Sequence, residues 1–288
     1  VRMMTVFSRL SVLTDEVSQD WDEVLAFVEE CALSYVELRS VWRANVMDME
    51  PDRLRHLRST LAERGVRVSG LASPVFKCAL DSNRPVERGD TFFASEGTVN
   101  DHMDMLKRAL EVAGFFQAPG VRIFSFWRER NPDLYVDEVA EHLHQAVRLA
   151  EEAGVTLWLE NEPSTNGGYA DEVAQLAAKV NSPFLRVLWD PGNERYGGRV
   201  PFPVGYEQVR PWIGHVHLKD AIYTSEQGGQ CVPISEGEAC LEKQLSALER
   251  DGYTGLYTVE THYVPEGGTP ADGTRRSFSG LRRIWELA

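Results

Sequence analysis

Four short runs of this sequence set ionisable side chains two residues apart. They are Glu37–Leu38–Arg39, Glu160–Asn161–Glu162, His215–Val216–His217–Leu218–Lys219–Asp220 and Glu260–Thr261–His262. A fifth run, Asp190–Pro191–Gly192–Asn193, lies between the second and third. Residues two apart on a β-strand share a face. Glu160 then stands with Glu162, Glu260 with His262, and His215, His217 and Lys219 form one row. Val216 and Leu218 take the opposite face. Charge turned toward a core is costly unless it is paired or binds something. A divalent cation is the simplest occupant. Carboxylates with one imidazole suit Mn²⁺, Mg²⁺, Co²⁺ or Zn²⁺. Glu160, Asp190, His217 and Glu260 come from four successive runs and form the expected ligand set for one such ion.

These side chains converge only if the runs are neighbouring strand ends. A recurring pattern supports that. A helical stretch ends in glycine, and a short apolar run follows. Ala62–Glu63–Arg64–Gly65 precedes Val66–Leu71, and Glu151–Glu152–Ala153–Gly154 precedes Val155–Glu160. Glycine accepts the left-handed conformation that stops a helix. The β-branched and aromatic residues after it suit a buried strand. Such runs predict strands near 9–14, 35–39, 66–71, 121–126, 155–160, 186–190, 213–218 and 256–260. Between them lie amphipathic helices. The first has Trp21, Val24, Leu25, Val28 and Cys31 on one face, and the last spans about 271–287. Eight alternating units in about 250 residues fit a (β/α)₈ barrel, whose active site lies at the C-terminal strand ends. A doubly wound sheet brings a glycine-rich turn after its first strand. None follows here. Segment 73–99, which contains Lys77, is longer than a usual connection and is expected to cover the barrel mouth.

The chain has 288 residues, 30 basic and 44 acidic side chains, and a net charge of −14. It is 43% hydrophobic and 26% charged, which excludes wholesale disorder. The acidic balance argues against coating a nucleic acid, so no such partner is expected. Cys31, Cys78, Cys231 and Cys240 form no CxxC pair, in keeping with reduced thiols in a cytoplasmic protein. No apolar run approaches the ~18 residues of a membrane span, and Val1–Leu10 lacks a leader's apolar stretch. One domain over residues 1–288 is the expectation. Trp42, Phe92, Phe93 and Trp127, taken as exposed near the mouth, are candidates for a lid or a homo-oligomer interface.

Each assignment has a plainer competitor. The four ligand candidates compete with a structural ion-pair cluster, which desolvation disfavours. Glu37, Arg39, Lys77, Glu162, His215, Lys219 and His262 are the expected substrate contacts. Against that, Glu37 with Arg39 reads as a local ion pair, Lys77 and Lys219 as surface charge, and Glu162 and His262 as solvated. His215 competes with a buried histidine bonded to backbone. His56, His102, His142 and His144 fall in helical stretches. His142 and His144, two apart on a helix, face different directions and cannot chelate one ion. His102, beside Met103 and Met105, reads as a surface or packing residue. Gly228–Gly229 lacks the helix entry of a phosphate loop.

These runs, with Leu13–Thr14–Asp15–Glu16 and Val36–Glu37–Leu38–Arg39–Ser40, resemble the sugar isomerase/epimerase branch of the xylose-isomerase-like barrel superfamily. That superfamily also includes enzymes of the endonuclease IV type. The resemblance implies metal positions at Glu160, Asp190, His217 and Glu260, with manganese among the ions. It also implies that the first and last carboxylates move protons. In the endonucleases a histidine follows the strand-six aspartate by three residues, but here that position is Asn193. Related barrels often carry glycine where Ser235 stands. The function implied is a divalent-metal-dependent isomerase or epimerase of a sugar or sugar phosphate. It would act by α-proton transfer through a metal-stabilised enediolate. The alternatives are a metal-dependent dehydratase of a cyclic polyol or dehydroshikimate-like acid, an endonuclease IV-type hydrolase, and a non-catalytic sugar-binding barrel.

Overall fold

Strand and helix alternate because local chemistry starts and stops each helix. Asp20 caps helix α1 (Trp21–Glu30), its side chain accepting from the Asp22 and Glu23 amides. Helix α2 covers Pro51–Glu63. Thr98 and Asp101 form a capping box at the start of α3 (Val99–Phe116). Gly154, at φ +68°, ends α4 (Val136–Ala153) in the left-handed conformation. Helices α5 (Ala170–Val180), α6 (Pro191–Tyr196), α7 (Tyr206–Val209), α8 (Leu241–Arg250) and α9 (Pro270–Leu287) follow. On α1, Trp21, Val24, Leu25 and Val28 are buried, while Cys31 is only half-buried at the helix end. The computed structural model describes residues 7–287. Residues 1–6, most of the stretch read for a leader, lie outside them.

The strands are β1 (Leu10–Leu13), β2 (Tyr35–Leu38), β3 (Arg67–Leu71), β4 (Gly120–Ile123), β5 (Thr156–Glu160), β6 (Leu185–Trp189), β7 (Ile213–Leu218) and β8 (Tyr257–Val259). Each pairs in parallel with its sequence neighbours. The circle closes where β1 meets β8, with Leu10 opposite Tyr257 and Val12 opposite Val259. This is a (β/α)₈ barrel. The expected strand 121–126 ends early, at Ile123. Beyond it, the Phe124 amide donates to the Val75 carbonyl and the Trp127 amide to the Cys78 carbonyl, both at 2.9 Å. The chain there pairs with the covering segment instead of the barrel. Among the described residues, no helix is long and apolar enough to cross a membrane.

The long segment after β3 is tied down from below. The Phe76 amide donates to His102 Nδ1 at 2.7 Å, and His102 Nε2 meets the Glu96 carbonyl. His102 is fully buried. It is an anchor for the covering segment, which corrects the surface reading. A hairpin of Asp220–Thr224 and Gly228–Val232 follows β7. Gly228–Gly229 begins its return strand, which explains that glycine pair. The Asp220 carboxylate accepts the amides of Ala221, Ser235, Gly237 and Ala239 at 3.0–3.1 Å. One side chain thus fixes the chain on both sides of the hairpin.

Inside the barrel the indole of Trp158 occupies the space beside β3 and β4. A Cβ added to Gly70 or Gly120 would collide with it. Trp158 also stacks on His215, centroids 4.1 Å apart and planes 11° apart. The two glycines therefore make room for the ring that supports β7. Gly120→Ala is expected to lower unfolding free energy by about 1–3 kcal/mol, as overpacking does. Chemical denaturation would check this, and an unchanged midpoint would contradict it.

Candidate active site

Four strand ends deliver the central cluster. Glu160 is the last residue of β5, and His217 lies within β7. Glu260 follows β8. Asp190 follows β6 and caps α6, with Oδ1 accepting from the Asn193 amide at 2.9 Å. All four are buried, and one ligand atom of each lies within 4.8 Å of the others. His217 Nδ1 stands 3.1 Å from Glu260 Oε2 and 3.4 Å from Glu160 Oε1. Its other nitrogen, Nε2, lies 2.9 Å from Glu37 Oε1. Glu37 Oε2 in turn lies 2.8 Å from His215 Nε2. Glu37 thus holds the imidazole from behind and aims Nδ1 at the carboxylates, the arrangement commonly found behind a metal-ligating histidine.

Three cations face these anions. Arg39 Nη1 lies 2.5 Å from Glu260 Oε1, and the same guanidinium reaches Asp15 at 2.8 Å and Glu16 at 3.1 Å. Arg122 Nη1 lies 3.1 Å from Glu160 Oε2. Lys219 Nζ lies 2.8 Å from Glu260 Oε2, 2.9 Å from Asp190 Oδ2 and 3.0 Å from Asn193 Oδ1. Burial alone would raise both glutamates. For Glu160, Arg122 and His217 outweigh it and hold the carboxyl below its usual range. For Glu260, Lys219, His262 and His217 hold it well below. At Asp190 burial wins over Lys219, and its carboxyl is raised. His217 is lifted well above an ordinary histidine, because Glu37 and Glu260 overcome burial.

The donor set fits a hard or borderline divalent ion. It offers three carboxylates and one imidazole nitrogen. Asp190 Oδ2 is buried with no hydrogen bond directed at it, although the Lys219 ammonium is near. An oxygen in that condition has coordination capacity to spare.

The family model of the xylose isomerase-like TIM barrel matches residues 25–284. The chain belongs to that family. Among solved structures, this xylose isomerase-like barrel is similar to a D-tagatose 3-epimerase-like protein, with TM-score 0.73, 16% identity and 97% of each chain covered. It is also similar to an IolI protein with a bound zinc atom, with TM-score 0.71, 18% identity, 96% of this chain and 97% of the other. A third is AsbF of Bacillus anthracis, a probable 3-DHS dehydratase, with TM-score 0.71, 15% identity, 95% of this chain and 98% of the other. At these identities the likeness is one of fold. No curated protein matches the chain.

A cavity of about 570 Å³ opens above the cluster. Lys77, Glu162, Lys219 and His262, expected as substrate contacts, reach its wall, as do Glu160 and Glu260. Glu37, Arg39 and His215 do not. Glu37 and His215 lie beneath His217, and Arg39 is enclosed by Asp15, Glu16, Glu260 and the ring of Phe92, 3.9 Å away. All three are paired with other buried or half-buried side chains and stand outside the cavity wall. Trp127, taken as exposed, is fully buried, with its indole N–H donating to Glu96 at 3.0 Å. Phe93 is 55% exposed, while Phe92 turns inward and lines the cavity. Ser235 adopts φ +79°, the conformation for which glycine is usual.

Several contributors to the site were missed in the sequence. Arg122 pairs with Glu160, and its signal was a lone charge inside the apolar run Val121–Arg122–Ile123. The hairpin residues Gly229, Gln230 and Cys231 also line the cavity, beside Phe92, which the sequence placed near the mouth. They carried no distinguishing signal, because loop placement brings them there. Buried Arg39 pairs with three carboxylates at once, those of Asp15, Glu16 and Glu260. Arg39→Met is therefore expected to destabilise the protein by about 3–5 kcal/mol, the usual result of breaking a buried pair. A denaturant titration showing a loss below about 1 kcal/mol, the surface-pair range, would contradict this.

Proposed function

We propose that this barrel is a divalent-metal-dependent enzyme that moves the proton α to the carbonyl of a small hydroxy ketone or hydroxy aldehyde of the sugar class. The product is an epimer or an aldose–ketose isomer. Glu160, Asp190, His217 and Glu260 hold one ion, which is Mn²⁺, Mg²⁺, Co²⁺ or Zn²⁺. When bound, the ion supplies Lewis-acid stabilisation of negative charge on a substrate oxygen. The observation that carries the reading is that two buried carboxylates, Glu160 and Glu260, belong to the cluster and also line the cavity. The zinc in the IolI structure supports a divalent ion on this fold.

The residues divide the work. Glu160 or Glu260 removes the proton, and its low proton affinity, set by Arg122 or Lys219, keeps it ionised near neutral pH. Return of a proton by the other carboxylate to the opposite face gives epimerisation. Delivery to the adjacent carbon gives isomerisation. Lys219 and Arg122 face the same cavity and stabilise negative oxygen. Glu162 and His262 at the wall bind hydroxyls, and Lys77 completes the substrate contacts. The likeness to AsbF keeps a second reading, dehydration, in view. It starts with the same proton removal and then expels water.

The test is incubation of metal-loaded protein with a panel of ketoses and aldoses in heavy water, read by proton NMR. Deuterium is expected at the carbon next to the carbonyl. Glu160→Gln and Glu260→Gln should each slow its entry by about 10²–10⁴-fold, the usual contribution of a general base. Entry at the unaltered rate in both variants would contradict the proposal. An ultraviolet-absorbing unsaturated product would point to the dehydratase.

A further inference from the structure

Lys77 is a buried cation without an anion. It is 4% exposed. Its ammonium makes one hydrogen bond, to the backbone carbonyl of Asp90 at 2.9 Å. An ammonium has three donors. No carboxylate pairs with it among the described residues, unlike Lys219, which has two. The remaining surroundings are ring faces. Phe124 lies 4.5 Å from Nζ, Phe92 4.8 Å and Trp127 5.8 Å. Asp90, Phe92 and Phe124 themselves line the cavity, as Lys77 does.

A second cation shares those rings. The Arg122 guanidinium lies 4.9 Å from Phe124 and 5.6 Å from Phe92. Two positive groups thus bracket one patch of cavity wall. Burial, with Arg122 adding to it, pushes the Lys77 ammonium down to about 8 despite the pull of Glu162. The backbone is also forced there. Phe76 and Phe92 adopt φ +67° and +51°, a conformation that bulky residues avoid. Keeping an unpaired charge in such a place costs stability. That cost is offset if an incoming anion completes the pairing.

We infer that Lys77, with Arg122 beside it, is the subsite for an anionic oxygen group on the substrate, a carboxylate or a phosphate. The substrate is then an acidic sugar derivative, not a neutral one. This inference rests on the proposed sugar-enzyme reading of the same cavity. It narrows the substrate class whichever of the proton-transfer reactions occurs.

The experiment uses three probes that differ at one carbon: D-fructose, D-fructuronate and D-fructose 6-phosphate. Binding to metal-loaded protein is measured by calorimetry. One of the anions is expected to bind about tenfold or more tightly than D-fructose, the gain of a charge-assisted hydrogen bond. The stronger anion tells carboxylate from phosphate. In Lys77→Met that advantage should vanish, while metal content stays unchanged. The variant's thermal midpoint should rise, because an uncompensated charge has gone. If Lys77→Met does not fold, Lys77→Gln serves the same comparison. Equal binding of all three probes to the unaltered protein overturns the subsite and leaves the sugar reading standing. An anion preference that survives in the folded variant also overturns it. Binding of an anion, lost in the variant, with no binding of D-fructose supports the subsite and counts against neutral-sugar recognition. Binding of none of the three overturns both.

Discussion

The structure depends on the compensation of buried charge. Glu37, Glu160, Asp190 and Glu260 lie inside the barrel with almost no exposure. Isolated ionised carboxylates there would be untenable. Each is answered by a specific partner: Glu37 by two imidazoles, Glu160 by Arg122, Asp190 by Lys219, and Glu260 by Arg39 and Lys219. The partners come from β2, β4, β7 and the residues just after them. The closed parallel barrel brings those strand ends around one point. The fold and the site are thus two views of one electrostatic requirement.

That requirement also explains the added pieces. A cavity floored by charge needs walls that control water. The segment after β3 supplies Phe92 and Lys77, and His102 holds it in place. The hairpin after β7 supplies Gly229 to Cys231, and Asp220 holds it. Both anchors are single buried polar side chains bonded to several backbone groups. Apart from Ala221, the backbone groups they hold lie outside regular strands and helices. Trp158, stacked on His215, fixes the bottom of the same column.

Much of this was legible in the sequence. Alternation of glycine-stopped helices and apolar runs points to the barrel, because both signals are local. The ligand-type residues stand out because charge at a strand end is rare in a buried run. The structure brings Glu160, Asp190, His217 and Glu260 together. What the sequence conceals is depth along a strand. Glu37 and Arg39 share a face, yet both point into packed surroundings instead of the cavity. His215, one step below His217, is likewise covered by Trp158. Arg122 was overlooked because its partner, Glu160, is 38 residues away along the chain. The burial of Trp127 follows from loop packing, which no local pattern announces.

The central claim is that this charge cluster holds one divalent ion. Elemental analysis of protein purified without chelator tests it most directly, beside His217→Ala. The account predicts close to one equivalent of manganese, magnesium, cobalt or zinc per chain, lost in the variant although the variant remains folded. Absence of metal, even after reloading with each ion, would contradict it and leave the cluster as a set of ion pairs that stabilise themselves.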